Sequence, residues 1–413
     1  MTNPLVHRRA RMGGRDPHEE HRVATPLELL FDLVFVVAYG LAADELAHYL
    51  AEGHVQTALL GFAIGTFAIT WAWINFSWFA SAFDVDDWLY RLTTMVQMIG
   101  VVILALGLPA LFDSIDEGEF VDNVVIVAGY VVMRVGLLFQ WLRAAYSSPE
   151  CRSACLTYVR WISVAQIGWV ALAIAHTSIL VTVVFILLLT LVEGAGPYIA
   201  ETRKGGTPWH PHHIAERYGL LIIIALGEGI IGTIASLGAV VGPEGPGWSV
   251  AAAVVALAGV GLTFGLWWAY FVIPWGEFLH ARRSRSFGWG YVNVAIIAAV
   301  VAMGGGLHVA AYYLEHHSEL DAAGTLLTVA TPLAVAIFAI YGLYWYLTSR
   351  VDGFHWLLMG ATAVVLVASV LLASGGLALH WSLLVLALVP WITVVGYEWR
   401  GHEHNARMLQ AVQ

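Results

Sequence analysis

Glu28 and Asp32 stand four residues apart in TPLELLFDLVFVVAYGLAADELAH, residues 25–48, so a helix places both carboxylates on one face. On an apolar helix in hydrocarbon each acid is costly unless it faces protein, water or a cation. The chemistry open to such a pair is proton or cation handling; the alternative is packing fixed by charge. A second stretch of this kind is PWHPHHIAERYGLLIIIALGEGIIG, residues 208–232. His212 lies four residues and His213 three residues before Glu216, so one imidazole can share a face with the glutamate, and Arg217 follows. That set fits a zinc or di-metal site if Glu28, Asp32 or Glu193 converges on it, and it also fits a charged helix start at a membrane surface. Glu228 lies eleven residues beyond Arg217. That places it about 16 Å deep, near the middle of a ~30 Å hydrocarbon core. Gly227, Gly229 and Gly232 beside it allow another helix to approach closely.

Arg134 is a cation of the same kind. It sits in GYVVMRVGLLFQW about nine residues from the inner end of its apolar run, hence about 14 Å deep. It requires a counter-charge or must reach toward the interface, and Asp32 at a compatible depth is the predicted partner. In DVDDWLYRLTTM, Asp84, Asp86 and Asp87 suit a helix start, Asp87 and Arg91 have ion-pair spacing, and Arg91 is expected to point inward. Asp44 and His48 share a face and read as a solvated pair. Asn293 precedes Gly304, Gly305, Gly306 and His308, where three glycines predict a hinge or a tight contact. Gly261 and Gly265 read as packing.

The elements that position these residues follow from composition. Of 413 residues, 59% are hydrophobic and 12% charged, against about 25% charged in soluble proteins. We therefore predict an all-α polytopic membrane protein in contact with a lipid bilayer. Twelve spans are expected, at 27–50, 56–79, 88–111, 120–143, 156–176, 178–200, 214–240, 248–272, 288–313, 325–347, 355–373 and 379–397. Arg8, Arg9, Arg11, Arg15, Arg22, Arg91, Arg143, Arg152, Arg160, Arg203, Lys204, Arg217, Arg282, Arg283, Arg285, Arg350, Arg400 and Arg407, 18 of the 19 basic residues, then fall on one side and none in an opposite-side loop; the nineteenth, Arg134, lies inside span four. The positive-inside rule orients the chain N-in and C-in. Residues 1–24 read as a mobile basic cytoplasmic arm, 25–400 as the membrane bundle and 401–413 as a cytoplasmic tail. An even count raises a six-plus-six repeat, with Glu28 and Glu216 opening corresponding spans.

No phosphate-binding glycine loop, dinucleotide fingerprint or nucleophile elbow occurs, so ATP-driven chemistry within the chain and nucleic-acid partners are not expected. No cofactor is predicted beyond the metal that His212, His213, Glu216 and Glu193 could hold. Cys151 and Cys155 are too few for a disulfide framework and read as ordinary thiols.

With TPLELLFDLVFV, DVDDWLYRLTTM, YVVMR, HIAERYGLLIIIALGEGII and WWAYF in view, the chain resembles the bacterial low temperature requirement protein A (LtrA) family. The matching segments cover most of residues 25–310, and that of the seventh span is quite specific. One departure is Asn293 in GYVNVAII, where the pattern leads us to expect a histidine. The resemblance implies a multi-pass protein of the bacterial inner membrane linked to growth at low temperature. It transfers no substrate, reaction or catalytic residue. The residues themselves favour transport or permeation of a small solute or ion, proton-coupled through Asp32, Glu216 or Glu228. A membrane-embedded metal enzyme around His213, Glu216 and Glu28, and a stress or scaffold protein with purely structural charges, are the alternatives.

Overall fold

The computed structural model describes residues 10–19, 22–242, 247–350 and 352–412; Arg8 and Arg9 lie outside them. Among the described residues there are twelve helices long and apolar enough to cross a membrane and no strand. Spans one to six are Pro26–Ala51, Val55–Phe83, Trp88–Glu117, Val124–Ser147, Arg152–Ala175 and Ile179–Arg203. Spans seven to twelve are Pro211–Val241, Val250–Ala281, Arg283–Leu314, Ala322–Thr348, Gly353–Ser374 and Leu379–Ala411. The expected limits agree to within a few residues, except that spans three, eight and twelve run further. Span twelve passes through a π turn at Tyr397–Gly401 into a helix that takes in most of the expected tail.

Local chemistry explains where these helices begin and end. Asp87, Ser249, Asp321 and Asp352 have extended backbones, and their side chains accept the N–H groups of Tyr90, Ala252, Gly324 and His355. Each such cap satisfies a donor that the first helical turn leaves unpaired. Span five ends where His176 turns left-handed at φ 43°, at the polar His176-Thr177-Ser178 break.

The chain divides into two compact units. The first comprises Met1–Leu41 and Phe67–Arg217, the second Ala42–Thr66 and Tyr218–Gln413. In the first unit span three packs on four, four on five, and five on six. Spans three and four meet through Gly100, Gly129 and Gly136; a Cβ on Gly129 would lie 2.5 Å from the Gly100 carbonyl oxygen and 2.9 Å from Leu104 Cα. Span six lies at the other extreme. Only 17% of its apolar window is buried, and Leu180, Leu187 and Leu191 are exposed as a lipid-facing helix requires.

The described residues of the basic arm hydrogen-bond to the rest of the first unit, which satisfies backbone groups that an irregular chain leaves unpaired. Arg15 N–H donates to Ala82 O at 2.9 Å, Gly14 N–H to Ser148 Oγ at 3.1 Å, and Ser148 Oγ to Met12 O at 3.0 Å.

In the second unit span nine packs on ten, eight on twelve, ten on eleven and eleven on twelve. Span nine is the most enclosed helix, with 78% of its window buried. Its three glycines make a tight contact rather than a hinge, since Ser286–Leu314 is one continuous α-helix. A Cβ on Gly304 would lie 2.6 Å from Glu228 Cβ, and one on Gly306 2.6 Å from the Thr328 carbonyl carbon. Gly265 closes on Pro390 in the same manner, as its packing role predicts.

Candidate functional site

Span one opens on a capping box. Thr25 donates its N–H and hydroxyl to Glu28 Oε2 at 2.8 and 3.0 Å, and Glu28 N–H points back at Thr25 Oγ1 at 3.3 Å. The cap aims Glu28 along the helix, and Asp32 follows one turn later on the same face. Span seven offers His213 and Arg217 with the same four-residue spacing, so the two helices meet as two rungs. His213 Nε2 lies 3.2 Å from Glu28 Oε1, and Arg217 Nη2 lies 2.6 Å from Asp32 Oδ1. Arg217 Nη1 is 3.9 Å from Glu28 Oε1 and links the rungs.

Span two supplies the rest of the wall. Trp73 Nε1 donates to Asp32 Oδ1 at 2.7 Å, Arg217 Nη2 donates to Ser77 Oγ at 3.2 Å, and the guanidinium lies 5.6 Å from the Trp73 ring centre. Glu28, Asp32, His213 and Arg217 are each at most 1% exposed. Even so, among the described residues Glu28 Oε1, Asp32 Oδ2, His213 Nδ1, and Arg217 Nε and Nη1 have no protein hydrogen-bond partner. Phe31 packs on Phe76 at 3.9 Å between ring centres and closes the apolar side. Such a site is buried and charged, and its unpaired polar atoms can take up a proton, a water or a small polar guest.

Near this cluster, buried Arg22 lies 3.7 Å from Asp84 and donates to Ala80 O at 3.1 Å. Burial, then the nearby Glu28 charge, pushes the Asp84 carboxyl up to about 6. His210, beside the start of span seven, is held below the usual histidine range by burial, and its Nε2 lies 2.9 Å from Glu19 O.

Several predicted partnerships are different in the structure. Arg134 pairs with Glu193 at 3.2 Å and lies over Tyr130, while Asp32 pairs with Arg217; the expected Asp32–Arg134 bridge does not form. Equal depth says nothing of the direction in which two side chains leave their helices, and span six offered Arg134 a buried acid. Arg91 is half-exposed and holds Asp86 through Nε and Nη2 at 2.8 and 2.9 Å, so it neither points inward nor pairs with Asp87. The left-handed Asp86, at φ 43°, swings its carboxylate round to Arg91, while Asp87 caps the helix and binds Arg143. Asp44 and His48 do not pair. Asp44 takes His308 at 2.9 Å, and His48 takes Glu52 at 3.6 Å.

The residues expected around a metal are dispersed. His212 is exposed, His213 turns to Glu28, Glu216 accepts the Ala24 N–H at 3.2 Å, and Glu193 holds Arg134. Glu28 and His213, expected to converge with Glu216, do meet, but as a direct pair that leaves Glu216 on the Ala24 N–H. Trp73, Ser77, Arg22 and Arg143 were not foreseen as site members. The Thr25-x-x-Glu28 box was the available signal for how Glu28 is aimed, whereas nothing local marks Trp73 or Ser77.

In the second unit Glu228 is buried against Gly304, and His308 of the same span nine pairs with Asp44. Asn293 is wholly buried, accepts the Tyr270 hydroxyl at 2.8 Å and donates to Trp289 O at 2.9 Å. Each of its two amide functions is therefore engaged in the span.

Comparison with known proteins places this arrangement. The chain is 25% identical to the uncharacterized protein RA0937 of Rhizobium meliloti (strain 1021) over 252 residues, covering 59% of this chain and 57% of that protein. No solved structure matches. Residues 23–390 match the bacterial low temperature requirement A protein (LtrA) family, a range that takes in both rungs, Arg134, Glu193, Glu228 and eleven whole spans. On that match over most of its length, this multi-pass membrane protein belongs to the LtrA family.

Proposed function

We propose that the chain is a permeation pathway or transporter for a small solute or ion in the bacterial inner membrane, with proton movement through the Glu28–His213–Asp32–Arg217 cluster. One observation carries this reading: among the described residues, four buried ionisable side chains at the starts of spans one and seven keep five polar atoms without a protein hydrogen-bond partner. Charges retained only to fix packing gain from complete satisfaction, because each unsatisfied buried group costs about 1–3 kcal/mol. Charges that exchange a proton or a guest need open valences. Asp84, buried near the cluster and raised to about 6, supports the same reading by offering a group that titrates near cellular pH. Buried Glu228 beside Gly304 is a second candidate relay in the second unit. The family description ties its bacterial members to low temperature, and we extend a role in cold growth to this chain. The enzyme alternative loses support because Glu216 accepts the Ala24 N–H instead of joining the Glu28–His213 pair.

The test is proton flux in liposomes holding the purified protein and an internal pH dye, with potential set by potassium and valinomycin. Wild type should exceed protein-free liposomes, and monodisperse Asp32→Asn and Glu228→Gln variants should each lose about tenfold or more, the equivalent of ~1.4 kcal/mol on the barrier. Wild-type flux equal to the protein-free control, or undiminished flux in Asp32→Asn, would leave the cluster with a structural role only.

A further inference from the structure

We infer that Asp352, His355 and His404 form a binding site for a divalent transition-metal ion of the zinc class, separate from the charged cluster of the first unit. The three residues come from the cap of span eleven, its first turn, and the terminal helix His402–Val412. They offer one carboxylate oxygen and two imidazole nitrogens that all lie within 4.8 Å of one another. Asp352 Oδ1 is 2.8 Å from His355 Nδ1, and Asp352 Oδ2 is 3.1 Å from His404 Nδ1. Tetrahedral zinc bonded at about 2.0–2.1 Å separates its ligands by about 3.3 Å. The two carboxylate–imidazole contacts use different oxygens of Asp352, and bringing one oxygen and both nitrogens from within 4.8 Å of one another to that spacing takes side-chain movements on the order of 1 Å.

The support around His355 is that of a ligand rather than a surface histidine. Its side chain is 4% exposed. The ring stacks on Tyr344 at 4.6 Å between centres, and its far nitrogen, Nε2, lies 2.8 Å from the Tyr397 hydroxyl. A hydroxyl both donates and accepts, so Tyr397 serves either tautomer. With Nδ1 protonated toward Asp352, Nε2 accepts the Tyr397 O–H. With Nδ1 on a metal, Nε2–H donates to the Tyr397 oxygen. Binding therefore needs only relocation of the imidazole proton, and the outer nitrogen keeps a partner that orients the ring.

Asp352 and His404 also line a cavity of about 390 Å³ with Arg350, Arg400 and Arg407. The arginines would neutralise an anionic fourth ligand, hydroxide or phosphate, at the open coordination position. Metal binding would thereby clamp the terminal helix onto the start of span eleven.

The experiment uses full-length, chelator-stripped protein in detergent, titrated with Zn²⁺ against a fluorescent chelator. One equivalent should bind. His404→Gln and Asp352→Asn should weaken it by more than the ~10–100-fold that loss of a supporting hydrogen-bond partner costs, and Tyr397→Phe should fall within that range. His402→Gln, whose histidine pairs with Glu398 at 3.3 Å, should bind as wild type does. No saturable binding in the wild type, unchanged affinity in His404→Gln, or equal loss in His402→Gln would each overturn the assignment.

Discussion

Asp87 does three things with one carboxylate. Its Oδ1 caps span three by accepting Tyr90 N–H at 2.9 Å, its Oδ2 accepts Ala10 N–H at 2.8 Å, and both oxygens take Arg143. Arg143 also donates to Ala10 O at 2.8 Å, so arm, span three and span four share one joint. Burial alone would raise this carboxyl, but the Arg143 hydrogen bond and the two backbone N–H groups outweigh it and hold it below the ordinary aspartate value of 3.8. An acid depressed in the folded state stabilises fully above its unfolded value, and the contribution disappears as pH falls through the folded value. Asp87→Asn should therefore cost about 3 kcal/mol at pH 7. The gap from wild type should close progressively below pH 3.8. Thermal unfolding in detergent across that range measures it, and a gap that ignores pH would deny the ionic origin. Asp84, three residues earlier, moves the other way because burial and Glu28 outweigh Arg22.

At the scale of elements, the glycines of spans three and four do what a hydrophobic surface cannot do in lipid. Lipid tails are as apolar as leucine, so helices associate through close packing. The approach of Gly129 to the Gly100 carbonyl leaves no room for a methyl group. Gly360, mid-helix in span eleven, has nothing within 4 Å of the position its Cβ would take. The same substitution should therefore have opposite signs. Gly129→Ala should destabilise by about 1–3 kcal/mol through overpacking, whereas Gly360→Ala should stabilise by roughly 0.5–1 kcal/mol through helix propensity. Comparable midpoint shifts for the two in one thermal assay would show that the glycine contact does not hold the helices.

For the whole molecule, the distribution of basic residues makes an orientation testable. In a background with Cys151 and Cys155 replaced by serine, Glu117→Cys and Arg152→Cys place thiols at exposed positions beyond opposite ends of span four. With an N-in chain, an impermeant maleimide should label position 117 in intact cells and position 152 only after permeabilisation. The reverse pattern would invert the topology. Labelling of both from outside would contradict a single crossing between them.

The sequence by itself determined the fold class, the number of spans and nearly all their limits, because hydrocarbon imposes apolarity and length residue by residue along one helix. It also singled out Glu28, Asp32, Arg134, Glu193, His213, Arg217 and Glu228, since ionisable groups within apolar runs are conspicuous without any partner. What only the tertiary structure decided is who meets whom. Asp32 finds Arg217 across 185 residues of chain, and Arg134 finds Glu193 across 59. Asp352 and His355 find His404 in a terminal helix that reads as a plain polar tail. Periodicity places a side chain on a face and at a depth of its own helix. The neighbour that face meets depends on the rotation and crossing of helices distant in sequence, and these are set by contacts such as Gly100 on Gly129 and Glu228 on Gly304.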